Sequence, residues 1–395
     1  MDNAKDIFFQ HLAQTSEMPV GLEIERTEGI YLYDKSGRAY MDLISGIGVS
    51  HLGHGNPKVK KAIHDQVEKH TFVMVYGEYL QAPQLALVQK LAEVLPKQLE
   101  TTYIVNSGTE ANEAALKLAK RATGRTELIS CYRSYHGNTH GSLSVSGNEV
   151  KKQAFRPLLP DVKFIHFNVE EDLTQITTKT AAVIIEPVQG DAGVRIPDKS
   201  YLKALRKRCD ETGTLLIFDE IQTGFGRTGS LFAFEQFDVV PDILTMGKAL
   251  GGGMPIGAFS ASHELMKSFT NNPPLGHITT FGGHPVCCAA AHAALEVLLE
   301  ENILDHVHQK GQLFRELLQH PLVKEIRSIG LMFAIELDSF EVVNKVVEKC
   351  IERGVIGYWF LSTKNSFRIA PPLIIIEEEI RKAAAIIREC MDECL

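Results

Sequence analysis

TLLIFDEIQTGFGRTG at residues 214–229 and ILTMGKALGGGMPIG at residues 243–257 decide how this chain folds. The first opens with four apolar residues, 215–218, set between Gly213 and Asp219. That is the pattern of a strand buried on both faces and ending in a carboxylate. Gly224, Gly226 and Gly229 follow, so the backbone leaves the strand by turns. A second apolar run, 243–246, ends at Gly247-Lys248, with glycines again at 251–253. One strand tip therefore offers an acid and another an amine. The tips of strands in open α/β sheets are where ligands bind.

Outward from these two stretches, strands alternate with helices. Upstream, strands are expected at 101–105, 127–131, 162–167 and 181–186, with helices at 57–70, 83–95, 110–123 and 198–212. Alternation of this kind implies βαβ units and a mainly parallel sheet. Before them come a short helix within 1–20 and a hairpin over 29–42 turning at DKSG. After residue 284, helices at 285–301 and 303–319 lead into a smaller α/β pattern. It has strands at 323–329 and 331–338, a helix at 340–353, further strands and a last helix from 377. The expected architecture is a large domain over 50–290 and a smaller α/β domain built from both termini, 1–49 and 291–395.

Composition excludes several classes. The chain has 395 residues, 44% hydrophobic and 23% charged, as expected of a globular enzyme with one large core. With 41 basic against 49 acidic residues the net charge is −8, which argues against a general nucleic-acid surface. The opening MDNAKDIFFQH lacks the charge and apolar run of a secretory leader. The longest apolar run, 369–376, holds two prolines and falls far short of a membrane span. Seven cysteines, an odd number without a CxxC pair, fit reduced thiols in the cytoplasm.

Several motifs carry chemistry. Asn106-Ser107-Gly108-Thr109-Glu110-Ala111 follows an apolar strand and opens a helix. Free N–H groups, the helix dipole and the absence of a side chain at Gly108 make a phosphate seat there, compatible with an N-cap. Tyr135-His136-Gly137 lies in a loop, where the tyrosine either packs its own loop or stacks on a planar ring. Ile221 is a candidate for the opposite wall of such a ring. Arg368, alone in the apolar stretch 366–372, needs an anion: a substrate carboxylate or an internal acid. Other letter matches fail. Gly247-Lys248 lacks the spacing and hydroxyl of a P-loop, and Gly224-x-Gly226-x-x-Gly229 lacks the helix of a dinucleotide fingerprint. His51 with His54, and His136 with His140, lack a third ligand or a helical frame, so no metal is expected.

The chemistry that unites these features is narrow. A lysine desolvated in a glycine-flanked loop can lose its proton and attack a carbonyl, and a buried aspartate needs a cationic partner. Pyridoxal phosphate supplies an aldehyde for Lys248 and a ring nitrogen that Asp219 keeps protonated.

Taken in order, NSGTEAN (106–112), YHG (135–137), EPVQG (186–190), FDEIQTGFGRTG (218–229), GKALGGGMPIGA (247–258), TTFGGHP (279–285) and FRIAPPL (367–373) resemble the class III, or ω-amino acid, pyridoxal-phosphate aminotransferases. Acetylornithine, ornithine and 4-aminobutyrate aminotransferases belong to that family, and the resemblance covers essentially the whole chain. It implies a fold-type I homodimer with active sites at the interface, moving a terminal amino group to a keto acid by ping-pong half-reactions. It implies that Lys248 forms the Schiff base and shuttles the proton, that Asp219 holds the ring nitrogen and that Gln222 contacts the ring hydroxyl. Ser107, Gly108 and Thr109 would seat the phosphate, joined by Thr280 from the second subunit. Tyr135 and His136 would lie against the ring, and Arg368 would take a substrate carboxylate.

Two positions depart from the family pattern. Asn138 stands where close relatives carry an arginine for a second carboxylate, and Asp191 replaces the glutamate that neutralises the substrate arginine. Arg133 is near enough in sequence to substitute for the missing arginine. 2-Oxoglutarate is the expected acceptor. The alternatives are an ω-amino acid–pyruvate aminotransferase, a glutamate-1-semialdehyde-type aminomutase and a non-catalytic pyridoxal-phosphate-binding protein.

Overall fold

The computed structural model describes residues 4–17 and 19–395. Its centre is a seven-stranded sheet in the order Thr101–Val105, Gly257–Ala261, Ile243–Met246, Leu215–Asp219, Thr180–Ile185, Glu127–Cys131, Val162–Ile165. All neighbours are parallel except Gly257–Ala261, which runs antiparallel to both of its partners. The residues of Thr180–Ile185, Ile243–Met246 and Gly257–Ala261 are all buried. A strand covered by helices on both faces loses the polar alternation of a half-exposed one, which is why Thr180–Ile185 and Ile243–Met246 read as nearly continuous apolar runs.

Topology gathers the chemistry. Thr101–Val105 is antiparallel to the same strand as Ile243–Met246 and therefore points the same way as the parallel set. The carboxyl ends of five strands thus meet at one edge of the sheet. From them emerge Gly108, Tyr135, Glu186, Asp219 and Lys248.

The two chain ends pack together. Ile24–Glu28, Tyr31–Asp34 and Ala39–Asp42 form an antiparallel sheet, and Val355–Ile356 joins its edge in parallel, Val355 opposite Met41. A second four-stranded sheet holds Glu325–Ile329, Met332–Glu336, Ser366–Ile369 and Tyr358–Trp359. The helices Phe340–Glu352 and Glu377–Asp392 complete this lobe. The Pro285–Glu300 helix runs unbroken across residue 290, where the sequence reading set a domain border. It packs on the Pro57–Lys69 and Ala82–Val94 helices of the large lobe. Its face of small residues, Ala290, Ala291, Ala293 and Ala294, is buried there. We therefore place the border at the end of that helix.

Two strands lie outside the sequence expectations, Ile24–Glu28 and Gly257–Ala261. The first is exposed throughout and carries no apolar alternation. The second is short and Gly/Ala-rich, and it gains its identity from two flanking strands. The glycines around Arg227 also find their reason. Gly226 and Gly229 adopt φ of 91° and 101° to wrap a fully buried guanidinium. Arg227 donates to the carbonyls of Leu331 (2.8 Å) and Pro371 (2.6 Å) and to Nε2 of His51 at 3.2 Å, and burial pushes it down to about 9. His54 pairs with Asp42 at 2.9 Å. Among the described residues no group of three or more His, Cys, Asp or Glu is arranged to hold a metal.

Candidate active site

Lys248 and Asp219 line one cavity of about 240 Å³. Its wall also includes Gly108, Thr109, Tyr135 and Asn138 on one side of the sequence, and Glu186, Ile221 and Gln222 on the other. Lys248 follows its strand at φ 45°, a left-handed conformation that costs a non-glycine residue on the order of 1–3 kcal/mol. Burial pushes its amine down to about 8. The carboxylate of Asp219 opposes that shift and the charge of Arg368 adds to it.

Asp219 is held by a relay of amides and rings. Its Oδ2 accepts from Nδ1 of His136 at 2.7 Å and from Nδ2 of Asn112 at 2.8 Å, while among the described residues Oδ1 accepts only the Ile221 N–H at 3.1 Å. Asn112 cannot flip: its Oδ1 receives the Thr245 hydroxyl at 2.8 Å, and its Nδ2 also meets the His136 carbonyl at 2.7 Å. The Asp219 carboxylate can only accept, so the His136 ring donates from Nδ1, and its Nε2 is buried with no partner among the described residues. Acceptor capacity is left on Oδ1.

Gly108 is fixed by crowding. A Cβ there would stand 2.7 Å from Cδ1 of Ile221, and one on Gly247 would stand 3.3 Å from the Gly108 nitrogen. Three segments thus close on one first turn, whose N–H groups have no partner within the helix. Thr109 Oγ1 lies 2.8 Å from Thr139 Oγ1. Ser107 caps the helix instead, its Oγ accepting from the Glu110 N–H at 3.3 Å, and does not line the cavity.

Glu186 is buried on the cavity wall, accepting the N–H groups of Tyr135 (3.1 Å) and Gly190 (2.9 Å). Burial pushes its carboxyl up to about 7, against the pull of His136. Gln222 packs against Gly190, where any side chain would run into its amide. Arg368 lies beyond the wall and pairs with Asp191 at 3.3 Å; its Nε reaches the Trp359 carbonyl at 3.2 Å. Asp191 keeps two further donors, the Leu361 N–H (3.1 Å) and the Ser362 hydroxyl (2.6 Å). Thr280 is exposed and stands apart from the cavity. Arg133, also exposed, turns its charge on Arg195 and does not line the cavity.

Sequence reasoning missed Asn112, Thr245 and Glu186. Asn112 stands one helical turn after Gly108, on the face that a ligand at the helix start shares. Glu186 directly follows the Thr180–Ile185 strand much as Asp219 ends its own, a signal the sequence carried unread.

The model of the family described as "Aminotransferase class-III" matches residues 12–391. This chain belongs to the class III aminotransferase family. It is a pyridoxal-phosphate-dependent transaminase of fold type I. It is 40% identical to an acetylornithine aminotransferase from Methanopyrus kandleri over 99% of both chains. It is 39% identical to a [LysW]-aminoadipate semialdehyde/glutamate semialdehyde transaminase from Sulfolobus acidocaldarius, covering 93% of this chain and 94% of that one. Among solved structures, an ornithine aminotransferase from Toxoplasma gondii superposes with a TM-score of 0.91 at 32% identity, covering 98% of this chain and 94% of that one.

A first prediction concerns the cradle of this class III chain. Gly108→Ala forces Ile221 aside and overpacks the seat, a change that costs about 1–3 kcal/mol. Cofactor affinity should fall at least about tenfold, read by fluorescence titration of the cofactor-free chain. Unchanged affinity would mean that the first turn does not touch the cofactor.

Proposed function

We propose that this transaminase takes the terminal amine of an ω-amino acid of the acetylornithine or ornithine class and passes it to 2-oxoglutarate. One observation carries the reading. The amine of Lys248 and the acid of Asp219, delivered by adjacent parallel strands, line a single cavity walled by the side-chain-free turn at Gly108.

The residues present suit pyridoxal phosphate. Lys248 would hold its aldehyde carbon, Oδ1 of Asp219 its ring nitrogen and Gln222 its ring hydroxyl. The first-turn N–H groups of Gly108 and Thr109 would take its phosphate, with Thr280 of a second copy of the chain. Tyr135 and Ile221 would cover its faces. When bound, the cofactor takes up the electron pair left behind as a proton departs from the substrate carbon. The chain does the rest. The Lys248 amine, poised at about 8, accepts that proton at Nζ and holds it for return. Arg368 receives a substrate carboxylate by releasing Asp191, which Leu361 and Ser362 keep in place. The buried setting around Arg368 strengthens that exchange of one carboxylate for another.

A homodimer and a cytoplasmic home belong to the same proposal. Leu80, Tyr79, Phe281 and Ile278 are exposed apolar side chains in the segments before and around Thr280, as an intersubunit surface needs. The seven cysteines are all free, six of them buried. Among the described residues no helix is long and apolar enough to cross a membrane.

The test is a panel of amine donors against 2-oxoglutarate and pyruvate, run with Asn138→Arg and Arg368→Gln alongside. We expect 2-oxoglutarate to lead pyruvate at least about tenfold in kcat/KM. Asn138→Arg should widen that lead, and Arg368→Gln should raise KM for both acids about tenfold or more. A lead for pyruvate would favour the ω-amino acid–pyruvate reaction. Turnover of a single semialdehyde with no added keto acid would favour the aminomutase.

A further inference from the structure

A second crevice, of about 570 Å³, lies where residues 194–196 of the large lobe face the Glu325–Ile329 strand of the small one. Arg195, Arg315 and Arg327 line it, with Glu325 as the one acid on its wall among the described residues. The charge of Arg133 also falls on Arg195. Four guanidinium groups thus gather in a chain whose net charge is −8.

Their partners are unequal. Arg327 is neutralised: its Nη1 meets Glu336 at 2.7 Å and also Glu325, and its Nε donates to the Gly193 carbonyl at 2.7 Å. Arg195 and Arg133 form no ion pair among the described residues. Arg195 and Arg315 are both exposed: among the described residues Nε of Arg195 reaches only the Ala192 carbonyl, at 3.3 Å, and Nη1 of Arg315 only the Ser328 hydroxyl, at 3.3 Å. Glu336 and Glu325 act on Arg195 from farther off, and the like charges of Arg133 and Arg327 oppose them. Arginine stays charged at any working pH, so Arg195 and Arg315, exposed and without an acid partner among the described residues, turn open positive charge toward the crevice.

We propose that this crevice binds a multiply charged oxyanion, a phosphate compound or a polycarboxylate, bridging the two lobes. Guanidinium forks grip either chemistry with paired charge-assisted bonds, and the space suits a small molecule. Its position gives the site a consequence. Arg327 ties the small lobe to Gly193, two residues past Asp191, so an anion here braces the turn that partners Arg368.

Isothermal titration of the cofactor-loaded enzyme with pyrophosphate and with citrate, at constant ionic strength, tests the site. Arg195→Gln, Arg315→Gln and Arg368→Gln are run in parallel. We expect saturable binding of at least one probe, one per chain. Arg195→Gln and Arg315→Gln should each weaken it about tenfold or more, and Arg368→Gln should leave it unchanged. Whichever probe binds more tightly identifies the chemistry of the natural ligand. Absence of saturable binding, binding that survives both substitutions, or binding lost with Arg368→Gln overturns the site.

Discussion

Lys248→Ala is expected to cut turnover at least about ten-thousandfold while leaving the chain folded. The substitution removes both the amine that would hold the cofactor and the base that would move the proton, two roles no neighbour can assume. Among the described residues no second amine lines the cavity, so none can replace the nitrogen that would hold the cofactor. Folding survives because the side chain contributes little to the core, and alanine tolerates φ 45° about as well as lysine does. The visible absorbance of the covalently bound cofactor should vanish with the activity. A pH profile of the wild-type chain adds a second check. With the amine at about 8, its neutral and reactive fraction grows about tenfold per pH unit below that value and levels above it. The rate at which the cofactor-free chain captures pyridoxal phosphate should follow that curve. Activity that persists in the variant would remove Lys248 from the chemistry.

Asp219→Asn should cost about a thousandfold in kcat, the scale seen when one preorganised charge-stabilising group is lost from a buried site. Asparagine matches the shape of aspartate but brings two N–H donors. Oδ2 of Asp219 already faces donors from His136 and Asn112, and Asn112 is locked by Thr245. An amide there sets donor against donor or turns its NH2 toward the cavity, where a ring nitrogen could no longer stay protonated. A steady-state comparison separates the effects: kcat should collapse while KM for the amine moves little. Equal losses through KM alone would reduce Asp219 to a structural acid.

Much of this protein is legible in one dimension. The apolar runs at 215–218 and 243–246, closed by an acid and by Gly-Lys, specify two central strands and what their tips carry. Their burial pattern follows from composition, because a strand covered on both faces must be mostly apolar, with any polar side chain hydrogen-bonded as Thr245 is. The seat at Gly108 is equally local: a strand, a glycine and a helix start in sequence are a strand, a glycine and a helix start in space.

What the sequence could not contain is convergence. His136 lies 83 residues from Asp219 and Asn112 lies 107 away, and only the parallel stacking of the strands brings these two side chains to one carboxylate. The GFGRTG glycines look like a nucleotide loop in letters, but they wrap Arg227 between two lobes because its carbonyl partners arrive from residues 331 and 371. The Asp191–Arg368 pair, 177 residues apart, is likewise a product of the lobes' packing. Local patterns fix which way each backbone segment bends and which face it buries, since those preferences act over a few residues. Which charges meet depends on the order of strands in a sheet, and that order is settled only when the whole core closes.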